Sequence, residues 1–435
     1  MHTADTRRRF LAHFAGAGLG TTLAPGVLWA KVQEAGTDRV TLAMVTDALR
    51  LSGIELSEED RTALVDGANT SLERLEELRA VDLPEDDRKA LVDGANTALG
   101  RLEELRAVHI PNDVSPPYHF SPIVAGMKVD RARQPWVVSK APAVKRPATL
   151  EDVACWPLRH LAELIRTKQV TSVELTRMYL ARLHRHQAVL NNVVTFLDGH
   201  GLAEAAQADR EIAAGRYKGP LHGIPWGCKD IITVKGFKTT WGSPAFVDQQ
   251  FDYDASIVEM LREAGAVLIA KLATGELAGG DNWFGGQTKS PWDPTQGSSG
   301  SSAGPASATA GGGVAFAIGS ETSGSILSPA ARCGVVGLRP TFGRVSRHGA
   351  MALSWTQDRL GPFGRYAEDC ALVMQAIAKP DGRDMSVSDL PFNWNAGLDV
   401  RTLKVGILQA SFDELTEPAA KANAAATLDT LKALG

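Results

Sequence analysis

Lys229, Ser301 and Ser325 stand in three separate Gly- and Ser-rich segments, and together they offer a base and two hydroxyls without calling on a histidine. The segments read Gly223-Ile224-Pro225-Trp226-Gly227-Cys228-Lys229-Asp230, Ser299-Gly300-Ser301-Ser302-Ala303-Gly304 and Gly319-Ser320-Glu321-Thr322-Ser323-Gly324-Ser325-Ile326. A serine hydroxyl becomes a competent nucleophile when a base takes its proton, and lysine is such a base only where burial leaves it uncharged. The apolar run Ile224-Pro225-Trp226 ahead of Lys229 suits that burial. A second hydroxyl can relay the proton. Attack on a carbonyl also needs donors for the oxyanion, which consecutive backbone N–H groups in a tight Gly-containing turn supply at fixed positions. Thr322-Ser323-Gly324-Ser325 fits that need.

These segments need a scaffold, and the pattern around them is α/β. Residues 257–264 read as a helix stopped by Gly265, and Ala266-Val267-Leu268-Ile269-Ala270-Lys271 follows as a buried strand. Upstream, 149–183 is mostly helical, with Thr171 as the cap of an apolar stripe that begins at Ser172. Residues 191–196 read as a strand and 201–214 as a helix. Lys404-Val405-Gly406-Ile407-Leu408 repeats the strand signal, and a helix starts at Pro418.

With 435 residues, 44% of them hydrophobic and 22% charged, the chain can bury a large core in one big domain with appendages. A net charge of −4 with both signs interspersed leaves no footprint for nucleic acid and no polybasic patch for stable membrane anchoring. Cys155, Cys228, Cys333 and Cys370 are far apart with no metal-ligand spacing, so they read as buried thiols.

Three regions precede the α/β part. In residues 1–30, Thr6-Arg7-Arg8-Arg9-Phe10-Leu11 and the apolar stretch after it match a twin-arginine export signal, which predicts a periplasmic or secreted protein cleaved near Ala30. In residues 31–110 an internal repeat with a shift of 27 carries Asp60-Arg61 through Val81 onto Asp87-Arg88 through Val108. Each copy reads as an amphipathic helix that packs on the catalytic domain or on a second copy of the chain, the latter making a homo-oligomer. Residues 111–148 are Pro-rich and read as an extended connector on the surface.

The blocks from 149 to 435 resemble the amidase signature family. The likeness is carried in order by Gly219-Pro220-Leu221-His222-Gly223-Ile224-Pro225 through Lys229-Asp230, Thr239-Thr240-Trp241-Gly242-Ser243, the Ser-rich segments, and Cys333-Gly334-Val335-Val336-Gly337-Leu338-Arg339-Pro340-Thr341. The resemblance implies a mixed sheet covered by helices and an amidase that forms a Ser acyl-enzyme with a Lys-Ser-Ser triad, acting on a small-molecule amide with no cofactor and no metal. It makes Lys229 the base, Ser325 the nucleophile and Ser301 the relay, because the family's relay precedes the nucleophile by about 24 positions; Ser298 would stand 27 before it. A cis peptide between Gly300 and Ser301 and a supporting role for Ser302 follow from the same likeness. The oxyanion hole falls to Ser323, Gly324 and Ser325, with Thr322 beside them.

Three departures from the family pattern stand out. Ser323-Gly324 replaces Gly-Gly, Leu327 stands where an Arg commonly follows Ser-Ile, and Glu321 replaces an Asp. The chain also stops within a predicted helix where family members continue, so the expectation is that part of the C-terminal sheet and helical layer is missing. The alternative readings are a glutamine-dependent amidotransferase subunit or a catalytically inactive interaction protein.

Overall fold

The computed structural model describes residues 143–435 continuously, 126–141 before them, and isolated positions between 41 and 124. Contacts divide the chain into two units, Met1–Ser115 and Pro116–Gly435. The export-type segment, most of the 27-residue repeat and the first part of the connector lie outside the described residues. Within the first repeat copy, Arg61, Thr62, Val65, Asp66 and Asn69 are helical.

The second unit is built on a six-stranded mixed sheet, in agreement with the α/β reading. Its strands are β1 (Val193–Phe196), β2 (Pro225–Lys229), β3 (Val267–Leu272), β6 (Phe316–Glu321), β7 (Val336–Gly337) and β8 (Arg359–Gly364). A separate short hairpin pairs β4 (Asn282–Trp283) with β5 (Gly286–Gln287). The order across the main sheet is β1-β3-β2-β6-β8-β7. The central three are parallel, and the outer pairs β1/β3, β6/β8 and β7/β8 are antiparallel. Parallel strands covered on both faces read as unbroken buried runs, and every residue of β2, β3 and β6 is buried.

Helices α1 (Leu158–Arg166), α2 (Ser172–Leu190), α3 (Asp198–Ala213), α4 (Ser256–Glu263), α5 (Ala303–Ala310), α6 (Leu327–Cys333) and α7 (Ala367–Ile377) belong to the same unit. Thr171 caps α2 in a capping box with Glu174, as its sequence suggests, and the helix continues to Leu190 before Asn191 ends it at φ 47°. Helix α5 consists of small residues and packs tightly on the sheet. Its Gly304 donates to the Ala273 carbonyl at 2.8 Å, and a Cβ there would come within 2.3 Å of the Ala273 nitrogen and 2.6 Å of the Asn192 oxygen. Gly304→Ala is therefore expected to lower stability by roughly 1–3 kcal/mol, since backbone rather than a flexible side chain must yield. Equilibrium urea unfolding measures this, and an unchanged midpoint would show that the helix shifts freely.

The described part of the Pro-rich stretch is irregular and runs along the unit's surface. Val137 bridges Asn395, Trp136 packs against Phe392, and both the backbone N–H and the hydroxyl of Ser139 donate to Glu368. Two expectations fail. Residues 404–408 form no ladder, and Val405, Ile407 and Leu408 are exposed; an apolar run becomes a strand only where a sheet edge receives it. Cys155 is exposed, whereas Cys228, Cys333 and Cys370 are buried as expected.

Candidate active site

Lys229 ends β2, and Ser320 and Glu321 end the adjacent parallel strand β6. Parallel strands deliver their carboxyl ends to one edge of the sheet, where α/β proteins collect functional groups. Flanked by β3 and β6, Lys229 is fully buried. Ser301 and Ser302 reach the same place from the start of α5, after a cis peptide between Gly300 and Ser301. That bond agrees with the family-based expectation.

The Lys229 Nζ lies 2.7 Å from Ser301 Oγ and 2.9 Å from Ser320 Oγ. Burial holds its pKa far below the usual 10.5, at about 7, while the carboxylates of Asp358 and Glu321 pull the other way. The amine thus sits between two hydroxyls with no carboxylate bonded to it. A neutral amine there has one lone pair and two N–H bonds, so a lone pair directed at Ser301 leaves an N–H for Ser320.

Ser302 binds the pieces together. Its hydroxyl donates to the Ser320 carbonyl at 3.0 Å and accepts the Ser320 N–H at 3.1 Å, and its own N–H donates to the Ser325 carbonyl at 3.2 Å. The supporting role expected of Ser302 is thus a backbone clamp between β6 and the turn that follows it.

That turn carries the remaining sequence-predicted residues. Glu321, 1% exposed, accepts the N–H groups of Ile326 and Leu327 at 2.7 and 2.9 Å through one carboxylate oxygen, and the other lies 3.1 Å from Arg339 Nε. The chain is folded back so that Thr322, Ser323, Gly324 and Ser325 form a tight corner at the head of α6. Gly324 has φ 90°, a conformation that favours glycine, and nothing lies within 4 Å of where its Cβ would be. The Thr322 hydroxyl is already committed to Asp358 Oδ1 at 2.5 Å, so only its backbone is left to serve an oxyanion. Asp358 in turn accepts the N–H groups of Leu353 and Ser354 through its second oxygen. Ser325 is half-buried, and it joins the lysine cluster through its carbonyl, which accepts the Ser302 N–H.

Lys229 and Ser301 lie within hydrogen-bond reach of each other, and Ser302 links them to the 322–325 turn, with Ser325 engaged through its backbone carbonyl. Sequence reasoning missed Ser320 and Asp358. Ser320 had a signal in the Gly319–Ser325 run, because the residue before Glu321 on a strand parallel to β2 must lie near the end of that strand. Asp358, 36 positions beyond Thr322, had none. The Lys229-Asp230 dipeptide is not a surface ion pair. Asp230 is fully buried and pairs instead with Lys271 of β3 at 2.8 Å. His222 is buried away from this cluster, accepting the Lys218 N–H on Nδ1 and facing Glu211, which suits a structural role. Asp281 holds the Ser299 N–H at 3.0 Å and so braces the Ser-rich segment.

The Amidase family model matches residues 174–435. Over 284 residues the chain is 39% identical to a glutamyl-tRNA(Gln) amidotransferase subunit from Methylococcus capsulatus, covering 64% of this chain and 58% of that protein. It is 41% identical over 284 residues to the putative amidase AmiD of Mycobacterium tuberculosis, covering 63% of this chain and 59% of that one. Among solved structures, the native peptide amidase from Stenotrophomonas maltophilia superposes with a TM-score of 0.53 at 38% identity, over 55% of this chain and 51% of that chain. The chain thus spans less than two thirds of the length of these relatives.

Proposed function

The chain belongs to the amidase family, and from that premise we propose that it hydrolyses a carboxylic amide to the acid plus ammonia or an amine through an acyl-enzyme on Ser325. The observation that carries this reading is the fully buried Lys229 amine placed 2.7 Å from Ser301 Oγ with no carboxylate bonded to it. Neutral Lys229 takes a proton from Ser301 as Ser301 takes one from Ser325, whose oxygen bonds to the amide carbon. Backbone N–H groups of Ser323, Gly324 and Ser325 receive the oxyanion. The proton returns along the same line to the departing nitrogen as the C–N bond breaks, and water enters by the reverse route to release the acid. None of these steps calls on a metal or cofactor.

The second reading is a glutamine-dependent amidotransferase subunit, favoured by the 39% identity to a protein so named. A base that is neutral only above its own pKa fixes the pH dependence, and with that pKa at about 7 the kcat/KM should climb roughly tenfold from about pH 6 to pH 8 and then level off. The test is ammonia release by the full chain from aliphatic, aromatic and peptide C-terminal amides and from glutamine across that range. Turnover rising with pH supports the first reading. Glutamine hydrolysis that requires added partner proteins supports the second. No release from any amide, or a rate that falls with pH, overturns both.

A further inference from the structure

Two buried lysines stand at the ends of neighbouring strands, and they are served differently. Lys271 lies opposite Cys228 in the β2/β3 ladder, so it projects to the face away from Lys229, which lies opposite Leu272. There it meets Asp230 at 2.8 Å, both side chains being wholly inaccessible, and its remaining donors go to the Lys238 carbonyl at 3.0 Å and Thr239 Oγ1 at 2.8 Å. The second Asp230 oxygen accepts from the Thr240 N–H at 2.9 Å and the Thr240 hydroxyl at 2.5 Å. Asp230 Oδ1 thus has the Lys271 ammonium as its ion-pair partner and accepts no hydrogen bond, while Oδ2 is held by Thr240. Lys229, one residue before Asp230, touches only hydroxyls.

We propose that Lys271 is a positioning residue for Lys229: by holding the Asp230 carboxylate in a closed ion pair across the sheet, it denies the adjacent base a counter-ion and keeps that amine uncharged. The proposal rests on the amide-hydrolysis reading given above. Its physical basis is that a buried carboxylate left alone would draw a proton to the nearest amine, and that a buried ammonium left alone would repel one. The pair also ties the end of β2 to β3 and to the 238–240 segment, which fixes the direction from which Lys229 enters the cluster. The charges that face Lys229 on its own side are Asp358, held by Thr322, and Glu321, held by Arg339. Beyond the pair, near Cys228, lies Asp254, itself matched by Arg262.

The test reads the acid limb of kcat/KM against pH in Lys271→Met, Asp230→Asn and the double variant. An uncompensated Asp230 should move the limb up by about half to one pH unit, and an uncompensated Lys271 should move it down by a similar amount. The double variant should restore the wild-type limb. Opposite signs that cancel are the signature of charge, because a bracing role alone would lower kcat and leave the limb in place. If Lys271→Met does not fold, Asp230→Asn and the double variant decide: a downward shift in the first that vanishes in the second supports the proposal, and an unmoved limb overturns it. A wild-type chain with no Ser325-dependent turnover would sink the hydrolysis reading itself, whereas turnover with immobile limbs would sink this inference alone.

Discussion

Ser325→Ala is expected to lower kcat on a cleavable amide by at least about 10⁴-fold, because members of a nucleophile–base unit fail together and leave only binding and oxyanion stabilisation. Ser301 is 1% exposed and lies against the lysine amine, and the Ser320 and Ser302 hydroxyls are likewise committed inside the cluster. Ser325 is half-buried at the head of α6, in the corner that bears the open Gly324 turn. A carbonyl can reach it there, and the neighbouring N–H groups belong to the same corner. The fold should not suffer, since the corner is held by the Glu321 carboxylate and the Ser302 clamp rather than by the Ser325 hydroxyl. The check is kcat with an unfolding curve beside it, together with intact-mass labelling by a fluorophosphonate, which should add one phosphonyl group to the wild type and none to the variant. Residual activity within tenfold of the wild type would assign the attack to another hydroxyl.

Lys229→Met should have two effects of opposite value. Loss of the base is expected to lower kcat by roughly 10³-fold, within the range that general-base removal produces. Stability should change with a definite sign. The folded-state pKa of about 7 lies below the ordinary 10.5, so between those values the unfolded chain carries a proton that the native chain lacks. Native stability therefore rises with pH across that window, and below about pH 7 the full cost of the buried amine is present. Methionine removes the titration. The unfolding free energy of the variant minus that of the wild type should then fall by something on the order of 4 kcal/mol from about pH 7 to pH 10. Two orphaned hydroxyls offset part of the variant's advantage at neutral pH, so the slope rather than the absolute difference is the measurement that decides. Parallel curves for the two proteins would mean that Lys229 keeps its proton in the native state.

What the sequence disclosed is what local chemistry imposes. The Gly- and Ser-rich runs, the apolar approach to Lys229, the Thr171 cap and the β3 run of buried residues are legible because each depends on neighbours within a few positions. Ser320 and Asp358 were missed because their partners are chosen by strand register and loop return, over 91 and 36 positions. In the sequence Lys271 is no more than the end of a strand, since its pairing with Asp230 exists only once β2 and β3 lie side by side. Residues 404–408 carry the opposite lesson: a strand-like composition offered to no sheet edge stays unpaired.

Lys229 and Ser301 are 72 residues apart, and the cluster draws on four stretches of chain that meet only at the sheet's edge. Closing loops of that length costs chain entropy before the contacts they bring together can offset it. A growing polypeptide released from the ribosome as far as the Ser-rich segment would still lack Ser320, the corner that follows it and Asp358. Its lysine would be solvated and protonated, and its serines ordinary alcohols. The arrangement of this cluster is thus a property of completed topology, since Ser320 and Asp358 join it only from later stretches of chain.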